Sequence, residues 1–215
     1  MSNVPDSPIS TSITLETIER ARERIAPYIH WTPVFSSETL STLSGTRLHL
    51  KAENLQKTGS FKVRGALNAV AQLTAEQRHA GVVTFSAGNH GQGLAYAARM
   101  FGTACTVYMT EHAAPVKVAA IQGYGATTRQ FPTIQQAVAD MERVREQSGA
   151  TFISPFADEA VIAGQATIGL ELLEQVEELE QIVIPIGGGG MLSGVTLALR
   201  MLKPDVRIVG VEPVG

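Results

Sequence analysis

Val82-Val-Thr-Phe85 runs into Ser86-Ala-Gly-Asn-His-Gly-Gln-Gly93 and on into Leu94-Ala-Tyr-Ala-Ala-Arg99. A short apolar strand, a glycine-rich turn and a helix follow one another without a break, and the same unit recurs along the chain. The pattern predicts strands at 82–85, 105–109, near 127–130, near 151–153, at 181–186 and at 206–211. Between them it predicts helices at 89–101, 115–123, 133–148, 159–178 and 190–202. This alternation belongs to a parallel sheet with helices on both faces, right-handed crossovers and ligand sites at the C-terminal ends of strands. The fold class is therefore α/β. Residues 1–13 are rich in Ser and Pro and read as a mobile tail, whereas Leu15, Ile18, Ala21 and Ile25 mark one helical face, so the fold starts near Thr14. Gly149-Ala150 to Pro155 reads as a crossing between two sub-domains: a larger one from 1–74 with 156–215, and a smaller one from 75–155.

The chain has 215 residues, 44% of them apolar and 17% charged, enough for real cores. A net charge of −3 offers no basic footprint for nucleic acid or an anionic membrane surface, which leaves small-molecule chemistry. No window approaches eighteen consecutive apolar residues and the N-terminus lacks a signal-peptide pattern, so a soluble cytoplasmic protein is expected. Cys105 is the single cysteine. It excludes an internal disulfide or a Cys-rich metal site, and the run Ala104-Cys105-Thr106-Val107-Tyr108-Met109 places it in a buried strand.

Lys51-Ala-Glu-Asn-Leu-Gln-Lys-Thr-Gly-Ser-Phe-Lys62-Val-Arg-Gly-Ala66 carries the candidate nucleophile. Arg47 to Lys51 alternates like a strand, Thr58-Gly59-Ser60 reads as a turn supplying a helix N-cap, and Ala66 to Val70 continues helically. Lys62 then falls in the first turn of a helix, beside an aromatic residue. A free lysine with pKa ~10.4 is neutral in only about one molecule in a few thousand at pH 7, so it needs a special environment or an imine to act as a nucleophile. Taken alone, the segment also reads as a solvated lysine beside Arg64.

The turn from Ser86 to Gly93 would present N–H groups, a hydroxyl, an amide and an imidazole at a helix N-terminus, a setting for a small anion such as a carboxylate. A structural turn capped by Ser86 or Asn89 fits the same residues. His90 finds no partner at metal-ligand spacing among the other histidines. A second turn, Gly187-Gly-Gly-Gly-Met-Leu-Ser-Gly194, follows Gln181-Ile-Val-Ile-Pro-Ile186. Four glycines let amides approach phosphate oxygens, and close approach to a ligand is a common reason to bear the entropy of such a run. No Gly-Lys-Ser/Thr follows, so it is not a P-loop, and Ser193 stands where a dinucleotide fingerprint wants glycine, despite Glu212 beyond the next strand. Phosphate without adenine is the simpler reading, with a bare structural turn as the alternative. Glu171, Glu174, Glu177, Glu178 and Glu180 read as the solvated side of a helix whose apolar side is Ala163, Ala166, Leu170, Leu173 and Val176.

A lysine able to form an imine, a turn for a carboxylate and a turn for a phosphate together describe a pyridoxal phosphate site for an amino acid. Ser60-Phe-Lys-Val-Arg-Gly-Ala66, Ser86-Ala-Gly-Asn-His-Gly-Gln92 and Gly187-Gly-Gly-Gly190, in this order, resemble the three signatures of the serine/threonine dehydratase (threonine ammonia-lyase) and serine racemase family. Thr32-Pro33 and Val161-Ile-Ala-Gly-Gln165 match as well, so the resemblance runs from about residue 14 to the last residue. Cysteine-synthase relatives carry Asp-Arg after the lysine, and Val63-Arg64 places this chain on the dehydratase branch.

The resemblance implies a fold-type II pyridoxal-phosphate enzyme, tryptophan synthase β-like, with parallel-rich sheets in two sub-domains and the large domain incomplete at its C-terminus. It implies that Lys62 forms the imine, Phe61 packs by the ring, Asn89 hydrogen-bonds the 3-hydroxyl oxygen, and Gly187, Gly188, Gly189, Gly190 and Met191 hold the phosphate. Ser86, Ala87, Asn89 and His90 would line the carboxylate pocket. Lys62 is then the catalytic base at the substrate Cα, and the reaction is dehydration of L-threonine and/or L-serine to the 2-oxo acid and ammonia. The racemase pattern has a second serine where this chain has Ala87, and a methyl group cannot deliver a proton, so elimination is expected over racemisation. Glu212-Pro213 resembles the start of the family's divalent-cation loop, whose further ligands would fall beyond Gly215. Family precedent implies a homo-oligomer. The family's chain also continues past this point, so a fragment with an uncovered sheet edge and apolar helix faces is expected. The alternative is a shortened, non-catalytic chain that binds cofactor or partner chains.

Overall fold

Thr14 opens the first helix, α1 (Leu15–Ile25): its hydroxyl accepts from the Thr17 N–H at 3.3 Å while the Thr17 hydroxyl accepts from the Thr14 N–H at 2.9 Å. The structure, a computed structural model, describes residues 12–214. Most of the expected tail, residues 1–11, lies outside the described residues. Its last residue is a correction: Ile13 is buried against Ile18, Ala163 and Leu170, because an apolar side chain just ahead of a cap gains by packing back on the core.

Along the chain follow β1 (Val34–Ser36), α2 (Glu38–Ser44), β2 (His49–Lys51), a 3-10 turn at Glu53–Leu55, α3 (Lys62–Ala71), α4 (Ala75–Ala80) and β3 (Val82–Phe85). Then come α5 (Asn89–Met100), β4 (Cys105–Thr110), α6 (Pro115–Gly123), β5 (Thr127–Phe131), α7 (Ile134–Ser148) and β6 (Thr151–Phe152). The last are α8 (Glu159–Gln175), β7 (Gln181–Pro185), α9 (Gly190–Leu202) and β8 (Arg207–Val211). Two elements differ from expectation in a way that matters. β2 begins at His49 rather than Arg47 and pairs antiparallel with β1, Val34 opposite Lys51. α8 stops at Gln175 instead of 178, because Val176 turns extended and, with Leu179, is buried against Ile184 and Leu199. Tertiary burial there overrides helix propensity.

The central sheet has the order β5-β4-β3-β6, all parallel. Alternate residues feed opposite faces: Val82, Cys105, Val107 and Met109 pack with α3 and α5 residues, while Val83 and Tyr108 pack with Met141 of α7. β7 and β8 form a separate parallel pair joined through α9, packed on α8. Val183 and Val211 of this pair and Met201 and Leu202 of α9 remain exposed. α3 lies between α5 of the central-sheet layer and α8, on which the β7-β8 pair packs. It approaches α5 at Gly93, where a Cβ would stand 3.1 Å from the carbonyl carbon of Lys62, and crosses α8 at Gly65 and Gly164, where a Cβ on Gly164 would stand 2.6 Å from the Gly65 Cα. Helix backbones meet this closely only where side chains are absent. We propose the division into 1–74 with 156–215 and 75–155 on the ground that the four-stranded sheet lies wholly within 75–155 and the two two-stranded sheets within the rest. No helix among the described residues is long and apolar enough to cross a membrane.

Candidate active site

Lys62 is the first residue of α3, and the helix begins there without a side-chain cap. The N-cap position is Phe61, already in helical conformation, and the Ser60 hydroxyl is buried with no hydrogen-bond partner, so the expected cap at Thr58-Gly59-Ser60 is corrected. The lysine turns away from bulk water. Its Nζ donates to the Pro155 carbonyl at 2.7 Å and lies 5.2 Å from the centre of the Phe61 ring. Burial holds its pKa below the ordinary lysine value, since the ammonium loses hydration that one carbonyl restores only in part.

The residue after that carbonyl reaches the glycine turn. Phe156 lies against Gly188 and Gly190, whose Cβ positions would fall 2.5 Å from its Cδ1 and 2.9 Å from its Cα. Gly187 and Gly189 adopt φ of 52° and 83°, the left-handed region, with open space at their Cβ positions. Two glycines thus serve the turn and two make room for Phe156, so packing and backbone geometry already account for the whole run. The turn fits an anion for a different reason. Among the described residues no acceptor takes the N–H of Gly188, Gly190, Met191 or Leu192, while Ser193 N–H bonds the Gly189 carbonyl at 2.8 Å and starts the helix. Four orphan donors at the N-terminus of α9 suit a phosphate. The Met191 side chain packs with Phe61 around Ile184 and Leu199.

The turn after β3 is held by Ser86 N–H to the Tyr108 carbonyl (3.0 Å) and by Gly88 N–H to the Ser86 hydroxyl (3.3 Å). Neither Ser86 nor Asn89 caps α5, whose N-cap is Gly88. Asn89 is exposed and its amide has no partner among the described residues. Backbone N–H groups of Ala87, Asn89 and His90 likewise meet no acceptor. The His90 ring does not line this open turn. It is buried, its Nε2–H donates to the Ile153 carbonyl at 3.1 Å, and burial, with the nearby Lys62 charge, pushes its pKa down to about 4. Only its backbone N–H faces the turn. Thr84 Oγ1 donates to the same Ile153 carbonyl at 2.9 Å. Segment 153–156 is therefore a strap, fixed to β3 and α5 at one end and to the glycine turn at the other, with Lys62 bonded in between. Glu212 is exposed beyond β8, and no group of three metal-ligating side chains occurs among the described residues.

Glu171 corrects the solvated acidic face. Its carboxylate is buried between the Arg64 guanidinium and Lys51 Nζ, while Glu177, Glu178 and Glu180 lie beyond the end of α8. Pro155, Phe156, Glu53 and Glu171 went unread as site residues. Pro155 acts through its carbonyl, which has no residue-type signature, and the Arg64 beside Lys62 was the one visible hint that buried carboxylates must exist.

A family model described as pyridoxal-phosphate dependent enzyme matches residues 25–215. The chain is 46% identical over 209 residues to a serine racemase of Dictyostelium discoideum, covering 97% of this chain and 64% of the relative. To an L-threonine ammonia-lyase of Thermotoga maritima it is 44% identical over 201 residues, covering 93% and 50%. The structure of maize serine racemase superposes with a TM-score of 0.93 at 40% identity, covering 95% of this chain and 63% of that one. The chain thus spans between half and two thirds of the length of these relatives. With a match that begins at the end of α1 and carries through the lysine, both turns and the final strand, this chain belongs to the family of pyridoxal-phosphate dependent enzymes.

Proposed function

We propose that this chain carries the cofactor site of an ammonia-lyase that converts L-threonine and/or L-serine to the 2-oxo acid and ammonia. The observation that supports it most is the Lys62 amine, depressed in pKa by burial and bonded to the Pro155 carbonyl at 2.7 Å, on a strap whose next residue abuts the glycine turn. Pyridoxal phosphate, when bound, supplies an electron sink for charge developed at the substrate Cα. Lys62 would hold the group, Phe61 would pack beside it, Asn89 would hydrogen-bond its hydroxyl oxygen, and the amides from Gly187 to Met191 would take the phosphate.

Ser86, Asn89 and the N–H groups of Ala87 and His90 bind and orient the substrate carboxylate at the N-terminus of α5. Lys62 Nζ, nearer neutrality than a free lysine, takes the proton from Cα, a transfer worth about 10²–10⁴ in rate. Ala87 offers only a methyl group, so no side-chain hydroxyl at that position returns a proton to the carbon. Elimination is favoured on that ground. Serine racemisation is the second reading, supported by the 46% identity to a serine racemase. An amino-acid substrate and a homo-oligomer belong to the same proposal. The exposed Trp31, Phe35, Leu43 and Leu50 support self-association.

The test is to load the protein with pyridoxal phosphate, supply L-threonine and L-serine, and assay 2-oxo acid and D-serine together. Oxo acid in excess supports the lyase. D-serine at a comparable rate selects racemisation, and cofactor capture without either product reduces the chain to a binding unit.

A further inference from the structure

Arg64, two residues beyond Lys62 in the first turn of α3, has no solvent exposure and uses every N–H it owns. Nε and Nη2 donate to the two Glu53 oxygens at 2.8 Å each. Nη1 and Nη2 donate to Glu171 at 2.6 and 2.9 Å, and Nη1 also reaches Thr167 Oγ1 at 3.2 Å. Glu171 accepts in addition from Lys51 Nζ, which donates to Gln175 Oε1 at 2.7 Å and the Thr32 carbonyl at 2.9 Å. Thr32 Oγ1 donates to Glu53 Oε1 at 2.6 Å. Two cations and two carboxylates form a neutral cluster that ties β2 and the 3-10 turn to α3 and α8.

The cluster sits where α3 most needs it. The helix lacks a side-chain cap, and its first turn carries two cations against the positive end of the helix dipole. Buried charges are often no more stabilising than apolar side chains of the same volume, so what the ionic cluster adds over such packing is fixed direction. Arg64, forked into two carboxylates, admits essentially one orientation of that turn. We propose that Glu171 and Glu53, acting through Arg64, are positioning residues that fix the first turn of α3 and thereby aim the Lys62 amine at the Pro155 carbonyl and the glycine turn. The consequence for cofactor capture rests on the reading given above for Lys62; the aiming of the amine does not.

The experiment reads the amine directly. The 215-residue chain, Glu171→Gln, Glu53→Gln and Lys51→Met are pulsed with acetic anhydride across a pH series. Acetylation is mapped by mass spectrometry, with exposed Lys57 as internal reference. Far-UV circular dichroism and a cooperative urea transition report that each variant is folded, since Trp31 lies against Lys51 itself and would respond to the substitutions directly. His90, the titratable side chain facing Lys62, stays neutral throughout that range. In the parent, burial makes Lys62 titrate below an ordinary lysine. Both Gln variants are expected to raise its midpoint toward that of an ordinary lysine and to slow capture of pyridoxal phosphate, trapped with borohydride, by about tenfold or more. Lys51→Met breaks the same cluster without touching Arg64, and should lower stability while leaving the Lys62 titration in place. Folded Gln variants with an unchanged Lys62 midpoint, or an equal shift in Lys51→Met, overturn the proposal. A parent that captures no cofactor while the acetylation shifts hold removes the functional reading and leaves the positioning intact.

Discussion

Lys62, Ala87 and His90 each turn one environmental fact into chemistry. Lys62→Ala removes the amine bonded to the strap, so borohydride trapping should find no adduct in the peptide that holds residue 62, and oxo-acid production should fall by at least about 10³-fold. Ala87→Ser places a hydroxyl at the turn proposed for the carboxylate. It should raise D-serine formation from L-serine relative to pyruvate, measured by chiral chromatography, and an unchanged ratio would show that position 87 does not set the outcome. His90 binds a proton below about pH 6.5 when unfolded but only below about 4 when folded. Between these values the unfolded chain holds more protons, so stability is complete above pH 6.5 and is lost as pH falls toward 4, by about 3 kcal/mol. Urea midpoints at pH 7 and pH 4.5 should separate in the parent, and the gap should shrink in His90→Gln.

At the scale of elements, the glycine turn and the strap form one unit, and single and double substitutions can take it apart. A Cβ on Gly188 meets mainly the Phe156 ring, whereas a Cβ on Gly190 meets Phe156 backbone at 2.9 and 3.0 Å. Gly188→Ala should lose about 1–3 kcal/mol and regain most of it when combined with Phe156→Ala. Gly190→Ala should lose as much and regain little, because removing a ring does not move a backbone. Thermal unfolding of the parent, the three single variants and the two double variants checks this. Element positions were largely legible: strands at β3, β4 and β7 and helices α5, α6 and α9 begin and end within a residue of expectation, since periodicity and glycine punctuation are local properties. The cap at Ser60, the length of α8 and the solvated face at Glu171 were misread. In each case a contact from far along the chain outweighed the local preference.

For the molecule as a whole, cofactor binding at the proposed site, which spans the turn after β3, α3, the strap and α9, should act on global stability. Pyridoxal phosphate at about 100 times its Kd should add about 2.7 kcal/mol and raise the melting temperature, with the increment reduced in Lys62→Ala. A melt unchanged by cofactor would sever the site from the fold. The residues of the proposed site, Lys62, Asn89 and the four glycines, could be named from the sequence because each motif is contiguous and its chemistry follows from residue type. Alternation of strand and helix likewise determined the α/β class, since a parallel strand buried on both faces and an amphipathic helix write their periods into the chain. What only tertiary structure decided is where Lys62 points and what holds it there. The Pro155 carbonyl lies 93 residues away and Glu171 lies 107 residues from Arg64. A backbone oxygen and a glutamate on an acidic helix carry no local mark of such partners, because burial and pairing are created by folding and not by neighbours in sequence.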